Sequence, residues 1–163
     1  YKNKQELFIA VVDKFWFSTQ NPRNKFTETN GTFAEFIDEY VRGVQRTMDM
    51  LGDLIGAERE KVAQGKFTYH AQYFHFLFQL LQYDPDAKEK LRNLVDGDYA
   101  YWRAAIQRAI ATGELREDVD VEDAVVMFRQ VYMGLSFEMA FMGGLNTQRL
   151  AKHLHAVYSL LKR

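Results

Sequence analysis

The sequence predicts an all-α chain, a bundle of about six helices. Over most of its length apolar residues recur at spacings of three and four, the period that gathers them on one face of a helix. Only two prolines occur in 163 residues, and the alternation and frequent turn residues of a sheet are missing. A chain of 163 residues and 19.1 kDa has the length of one domain able to bury roughly two-thirds of its unfolded surface in a single core. Residues 1–163 therefore read as one all-helical unit.

The first helix is expected to start at about Lys4. Asn3 and Glu6 have the capping-box spacing, in which each side chain serves a free N–H near the other, and Leu7, Phe8, Val11, Val12 and Phe15 follow as an apolar stripe. After Phe17 the polar run STQNPRNKFTETNG reads as a loop. Thr32 and Glu35 repeat the capping box and open a helix carrying Phe33, Phe36, Ile37, Tyr40, Val41, Val44, Met48 and Leu51, with Gly52 and Gly56 near its end. The charged segment GAEREKVAQGK beyond it reads as a solvated face.

Residues 67–83, FTYHAQYFHFLFQLLQY, are apolar nearly all round, which predicts a helix covered on both sides in the middle of the bundle. Tyr69, Tyr73, Phe76 and Leu80 form one face, and His70, Phe74, Leu77, Phe78 and Leu81 another. Such aromatic density suits either a plain core or a cavity for an aromatic or hydrophobic ligand. The tyrosines tilt the reading towards a cavity, because buried hydroxyls need partners.

Asp84-Pro85 starts the next helix, with Asp as the cap and Pro in the first helical position. It runs through Leu91, Leu94, Val95, Tyr99 and Trp102 to about Thr112, a length that Gly97 is expected to break with a bend. Asp96 and Asp98, flanking that glycine, read as solvent-facing acids. Further along, Trp102, Ala105, Ile106, Ala109 and Ile110 make a core stripe opposite Arg103, Gln107 and Arg108. Gly113 ends the helix, and Asp120 caps the following one, with Glu122 and Asp123 favourable in its first turn. That helix, 121–142, bears Ala124, Val125, Phe128, Val131, Tyr132, Leu135, Met139 and Met142 on a broad apolar surface. Its other side carries Met127, Gly134, Ser136, Ala140 and Phe141. Gly143-Gly144 stops it, and Asn146 caps a last amphipathic helix built on Leu150, Leu154, Val157, Tyr158 and Leu161.

Several function classes lose support on composition and spacing. The net charge of -1, with no Lys/Arg run, offers no field for nucleic acid, so this stretch by itself is not expected to hold DNA. The chain has no cysteine, which removes disulfides, thiol catalysis and Cys zinc sites. No apolar run is long enough for a membrane span and no signal peptide is visible, so a cytoplasmic location without membrane partners is expected. His70 and His75 are five apart and His153 and His155 two apart, spacings that do not clamp a metal on one helix face. Glu-x-x-His, phosphate-cradling glycine loops and a nucleophile elbow are absent from the sequence. No catalytic residue, metal or cofactor is expected. Arg129 and Glu138, nine residues apart in the helix from Val121, read as lying on one side to within about a quarter turn. Facing a cavity, Arg129 can hold an anionic ligand or Glu138 a cationic one; facing solvent or a partner, both are structural.

The pattern W-x-x-A-I-x-x-A-I-x-x-G-E-L-R-x-D-V-D, followed by an apolar helix with an internal glycine, resembles the C-terminal domain of tetracycline-repressor (TetR) type transcriptional regulators. The residues that carry it are Trp102, Ala105, Ile106, Ala109, Ile110, Gly113, Glu114, Leu115, Arg116, Asp118, Val119, Asp120 and Gly134. At the other end, Tyr1-Lys2-Asn3-Lys4-Gln5-Glu6-Leu7-Phe8 is similar to the tail of the family's Y-x-[YH]-F-x-[SN]-K-[ED]-x-L junction, with Gln5 where an acid is commoner. That junction leads from the recognition helix of a helix-turn-helix into a linking helix.

The resemblance implies that residues 1–17 are the linking helix and that the helix-turn-helix meeting operator DNA lies before Tyr1. It implies a small hydrophobic or aromatic ligand in a helical cavity whose occupancy changes operator affinity. On facing and aromaticity the cavity residues are Tyr69, Tyr73, Phe76, Leu80, Trp102, Ile106, Phe128 and Tyr132, with His70, Arg129 and Glu138 as polar contacts. It further implies a homodimer in which the last two helices pair with their copies, through Val121, Gly134, Phe141, Leu150, Leu154, Val157, Tyr158 and Leu161. The competing reading of the same apolar surfaces is a stand-alone helical domain that binds a partner protein without touching DNA.

Overall fold

In the computed structural model the described residues are 1–27, 31–54 and 69–163, with side chains described over 1–27, 31–50 and 73–163. Every regular element among them is helical, as the apolar period predicts. Helix α1 (Lys4–Val11) continues through a π-helical turn (Val12–Trp16) into α2 (Phe17–Gln20). Asn3 accepts from the Glu6 N–H at 2.8 Å, so the expected cap forms. The stripe behind it is split: Phe8, Val12 and Trp16 turn inward, whereas Leu7, Val11 and Phe15 are exposed.

The stretch expected to be a loop holds more structure. Asn21 accepts from the Arg23 N–H at 3.0 Å with Pro22 at the first helical position, and this opens a one-turn α3 (Pro22–Lys25). Asn24 locks the turn to α2 by donating to the carbonyls of Ser18 and Thr19. Polar composition suggested a loop because the capping chemistry of Asn21-Pro22 sits too close to the previous helix to read as a separate start.

The capping box of α4 (Phe33–Leu54) is present on both sides, with Thr32 N–H donating to Glu35 at 2.8 Å and Glu35 N–H to the Thr32 hydroxyl at 3.2 Å. Its neighbour α3 lies so close that a Cβ on Gly43 would stand 1.9 Å from the Lys25 carbonyl oxygen. Helix α5 (Tyr69–Tyr83) packs on α7 and α1 but is not enclosed, since Phe78 is 63% exposed. The expectation of a central position fails because Phe78, Leu81 and Tyr83 face outward. Residues 55–68, including Gly56 and the charged segment after it, lie outside the described residues, as do the side chains of Leu51, Gly52, Tyr69 and His70.

Helix α6 (Ala87–Ala111) runs unbroken through Gly97. That glycine serves close packing: a Cβ there would meet the Pro22 ring at 2.8 Å. Asp84 caps as expected by accepting from the Asp86 N–H at 3.0 Å, but one turn intervenes before the helix starts. Gly113, at φ 75°, ends α6, and Asp120 accepts from the Asp123 N–H at 3.0 Å to start α7 (Val121–Ala140). Gly144, at φ 96°, follows α7, and Asn146 caps α8 (Thr147–Leu161).

The hinge between α6 and α7 ties the bundle together. The Glu114 carboxylate accepts from the N–H groups of Phe33 and Ala34 and from the Tyr158 hydroxyl, at 2.8, 3.3 and 2.8 Å. One side chain thus caps α4 and holds α8. The main core lies between α4, α6, α7 and α8, centred on Trp102 stacked on Phe128 at 4.8 Å. A smaller apolar cluster, Val12, Trp16, Leu80 and Ala87, joins the N-terminal helical segment to α5 and the start of α6.

Candidate functional site

Between these two apolar clusters the chain buries charge. Tight α3–α4 packing at Gly43 brings Lys25 inward, and the uninterrupted α6 carries Asp98 to meet it. Lys25 Nζ lies 3.7 Å and Arg129 Nε 3.5 Å from Asp98 Oδ2, and the three side chains are 6%, 11% and 4% exposed in the order Lys25, Arg129, Asp98. The Tyr132 ring sits under both cations, 5.7 Å from Lys25 Nζ and 5.5 Å from Arg129 Cζ. Tyr40 stands edge-on to Tyr132 at 6.0 Å and to Trp102 at 4.9 Å.

Charge and hydrogen bonding in this cluster are unbalanced. Two cations share one carboxylate. Among the described residues Arg129 Nε and Nη1, Asp98 Oδ1, the Tyr40 hydroxyl and Trp102 Nε1 are buried without a hydrogen-bond partner. The Ser136 hydroxyl, one turn along α7 from Tyr132, is in the same condition. Buried polar groups are nearly always satisfied, and each orphan costs on the order of 1–3 kcal/mol. Burial pushes the Tyr40 and Tyr73 hydroxyls well above the ordinary tyrosine range, helped by Tyr132 and Asp98 and opposed by Arg129, so both stay protonated. Burial works against the charge on Arg129, but the Asp98 carboxylate beside it favours the charge and the guanidinium stays protonated.

The sequence-predicted cavity residues fall into two groups. Trp102, Ile106 and Phe128 are fully buried in the main core, with Tyr132 packed against it. Leu80 lies in the smaller cluster, with Tyr73 and Phe76 against it. Tyr132 is the member that reaches the charged cluster, with its ring under Lys25 and Arg129, whereas Tyr73 lies against Trp16 at 5.8 Å. Tyr69 and His70 have side chains outside the described residues. An open cleft of about 550 Å³ lies elsewhere, between the N-terminal helical segment and α6, lined by Asp13, Phe17, Pro22, Lys90, Gly97 and Tyr101.

Three expectations are corrected. Asp98 is no solvent-facing acid: its side chain is 4% exposed and faces Lys25 inside the bundle, whereas Asp96 is exposed. Arg129 and Glu138 do not share a side, because nine residues at 100° each amount to half a turn. Arg129 is buried, and Glu138 is 54% exposed and pairs with Arg149 at 3.8 Å. Leu150 and Leu154 are 0% exposed inside this chain's own core and have no surface to give a partner. Val121, Val157, Tyr158 and Leu161 are half-buried against the same core. Gly134 and Phe141 do lie open, and they share the outer face of α7 with Val126, Met127 and Phe137. Lys25, Tyr40 and Asp98 were missed; the signal that could have found Asp98 is its place one turn before the core residue Trp102 on the same helix, and Lys25 carries no such signal.

Residues 44–154 match the tetracycline repressor-like C-terminal domain. The chain belongs to that family. No curated protein and no solved structure matches the chain. The match covers α5 to α7, the second half of α4 and the first half of α8, so the TetR-type domain includes Asp98, Arg129 and Tyr132 of the charged cluster, while Lys25 comes from the segment before it. Among the described residues of this TetR-type domain no helix is long and apolar enough to cross a membrane, and no group of acids and histidines is arranged to hold a metal ion.

Proposed function

We propose that this chain is the ligand-sensing and dimerisation domain of a TetR-type regulator, with small-molecule binding at the cluster around Arg129 coupled to operator affinity in the intact protein. One observation carries the reading: α7 is two-faced. Its inner face presents Phe128, Arg129, Tyr132 and Ser136 to the buried cluster, and its outer face presents Val126, Met127, Gly134, Phe137 and Phe141 to solvent. A ligand that reorders the inner face moves the outer one, and coupling of this kind requires only that the two states differ in affinity for the ligand. The outer stripe has the helical spacing and open glycine that suit a second copy of the helix, and Phe141 is 71% exposed.

Light scattering after size exclusion tests the dimer: a mass near twice 19.1 kDa is expected, falling to one copy in Phe137→Glu and Phe141→Glu. A salt-controlled titration of the intact gene product on the DNA flanking its own gene tests the regulator. Specific operator binding is expected; a clean monomer without specific DNA binding at low and moderate salt refutes the proposal and favours a stand-alone interaction domain.

A further inference from the structure

We propose that the Lys25–Asp98–Arg129 cluster is the recognition head of the ligand site and takes the carboxylate of a monoanionic acid with an apolar body. The proposal rests on the ligand-sensing reading and adds the chemical class. Its first support is the charge count. Among the described residues Lys25 and Arg129 share Asp98 and no other carboxylate, which leaves one positive charge where the three side chains are no more than 11% exposed. A monoanion neutralises that excess. A dianionic phosphate overshoots it, a cation adds to it, and a neutral ligand leaves it standing.

The second support is the pattern of orphan groups. Arg129 Nε and Nη1 are donors without an acceptor among the described residues. Nε and Nη1 lie on different edges of the guanidinium, so an incoming carboxylate oxygen takes one of them as a single charge-assisted hydrogen bond. The Tyr40 hydroxyl, also unpartnered and kept protonated by burial, is a further donor, while Asp98 Oδ1 is an acceptor that suits a hydroxyl or N–H next to the acid. The third support is the wall. The Tyr132 ring faces both cations, and Tyr40 stands edge-on to Tyr132 and to Trp102, so the neighbours an apolar body would meet beside the acid are aromatic.

The test uses the whole chain and four probes of one size, benzoate, benzamide, benzyl alcohol and benzylammonium, with octanoate and inorganic phosphate beside them, read by calorimetry and thermal unfolding. The carboxylates are expected to bind at least tenfold tighter than the amide, alcohol, amine and phosphate. Arg129→Gln, which leaves Lys25 and Asp98 paired one to one, is expected to lose that preference at least tenfold, and Arg129→Lys to recover part of it. Circular dichroism of both variants reports folding, and the lysine variant keeps the charge should the glutamine variant unfold. Neutral or cationic probes that match the acids, or acid binding untouched by either substitution, overturn the acid class and leave ligand sensing in place. Binding by none of the probes also overturns it, whereas ligand sensing as such falls only with the dimer and operator measurements.

Discussion

Replacing Asp98 by Asn is the sharpest probe of the buried cluster. The amide keeps the shape of the side chain and removes its charge, so Lys25 at 3.7 Å and Arg129 at 3.5 Å lose the carboxylate that both face. Since the Asp98 side chain is only 4% exposed, solvent does little to screen what remains. Breaking a buried ion pair by removing one partner costs about 3–5 kcal/mol, because the surviving charge is left uncompensated. Here two charges survive, which places the expected loss at the upper end of that range. A whole domain is stable by only about 5–15 kcal/mol, and for a chain of this size each kcal/mol lowers the midpoint by about 2–4 °C, so a fall of roughly 6–20 °C is expected.

Urea unfolding followed by circular dichroism measures the loss, with an unchanged slope showing that the native state is otherwise intact. The double variant Asp98→Asn, Arg129→Gln completes a cycle. Removing one of the two stranded cations should recover part of the stability, a coupling of about 1–3 kcal/mol. A loss below about 1 kcal/mol for Asp98→Asn, the magnitude of an exposed pair, would refute the reasoning. It would mean that the two cations find solvent or another acceptor, and the excess positive charge would disappear as an argument.

Gly43→Ala should cost about 2–3 kcal/mol or more, because its Cβ would stand 1.9 Å from the Lys25 carbonyl and backbone cannot yield cheaply; thermal unfolding measures it. Although burial raises it, the Asp84 carboxyl is held below the ordinary range by hydrogen bonds from Lys90 and the Asp86 N–H. Its contribution to stability is therefore present above the unfolded value, roughly pH 4, and lost as pH falls through the folded one, so Lys90→Met should flatten the acid limb of a stability profile. Tyr158 is pushed up to about 12 by burial and by its hydrogen bond to Glu114. Being raised, it favours the folded state below the ordinary tyrosine value of roughly 10 and loses that contribution as pH climbs to the folded one, a limb that Glu114→Gln should shrink. The same substitution should cost about 1–2 kcal/mol through the weakened cap on α4, read from denaturant midpoints.

Most helix boundaries were legible because their signals are local. Asn3, Thr32, Asp120 and Asn146 each accept from a backbone N–H two or three residues on, or belong to a capping box, and each does so as its spacing foretold. Gly113 adopts positive φ at a helix end for the same local reason. Gly97 and Gly43 show where this reasoning stops. Both are helical glycines whose purpose is the approach of another chain segment, Pro22 in one case and Lys25 in the other, and neither neighbour is visible from the glycine's own surroundings. Reading Gly97 as a bend was reasoning from propensity at a position where tertiary contact explains the glycine.

The charged cluster was hidden more deeply, and the reason bears on what it does. Lys25, Asp98 and Arg129 sit on three elements, and each alone looks like the ordinary solvated charge that most lysines, aspartates and arginines are. Their burial emerges only when the one-turn α3 is pressed onto Gly43 and Pro22 onto Gly97 of α6. The chain thus uses two glycines to bring charge inside, at a place where apolar side chains would have packed with less cost. Charge buried this way, with donors left over on Arg129 and an acceptor left over on Asp98, is poor construction for stability alone. It becomes intelligible if the folded chain alone is one state of a pair, and the missing counter-charge arrives with the molecule that selects the other.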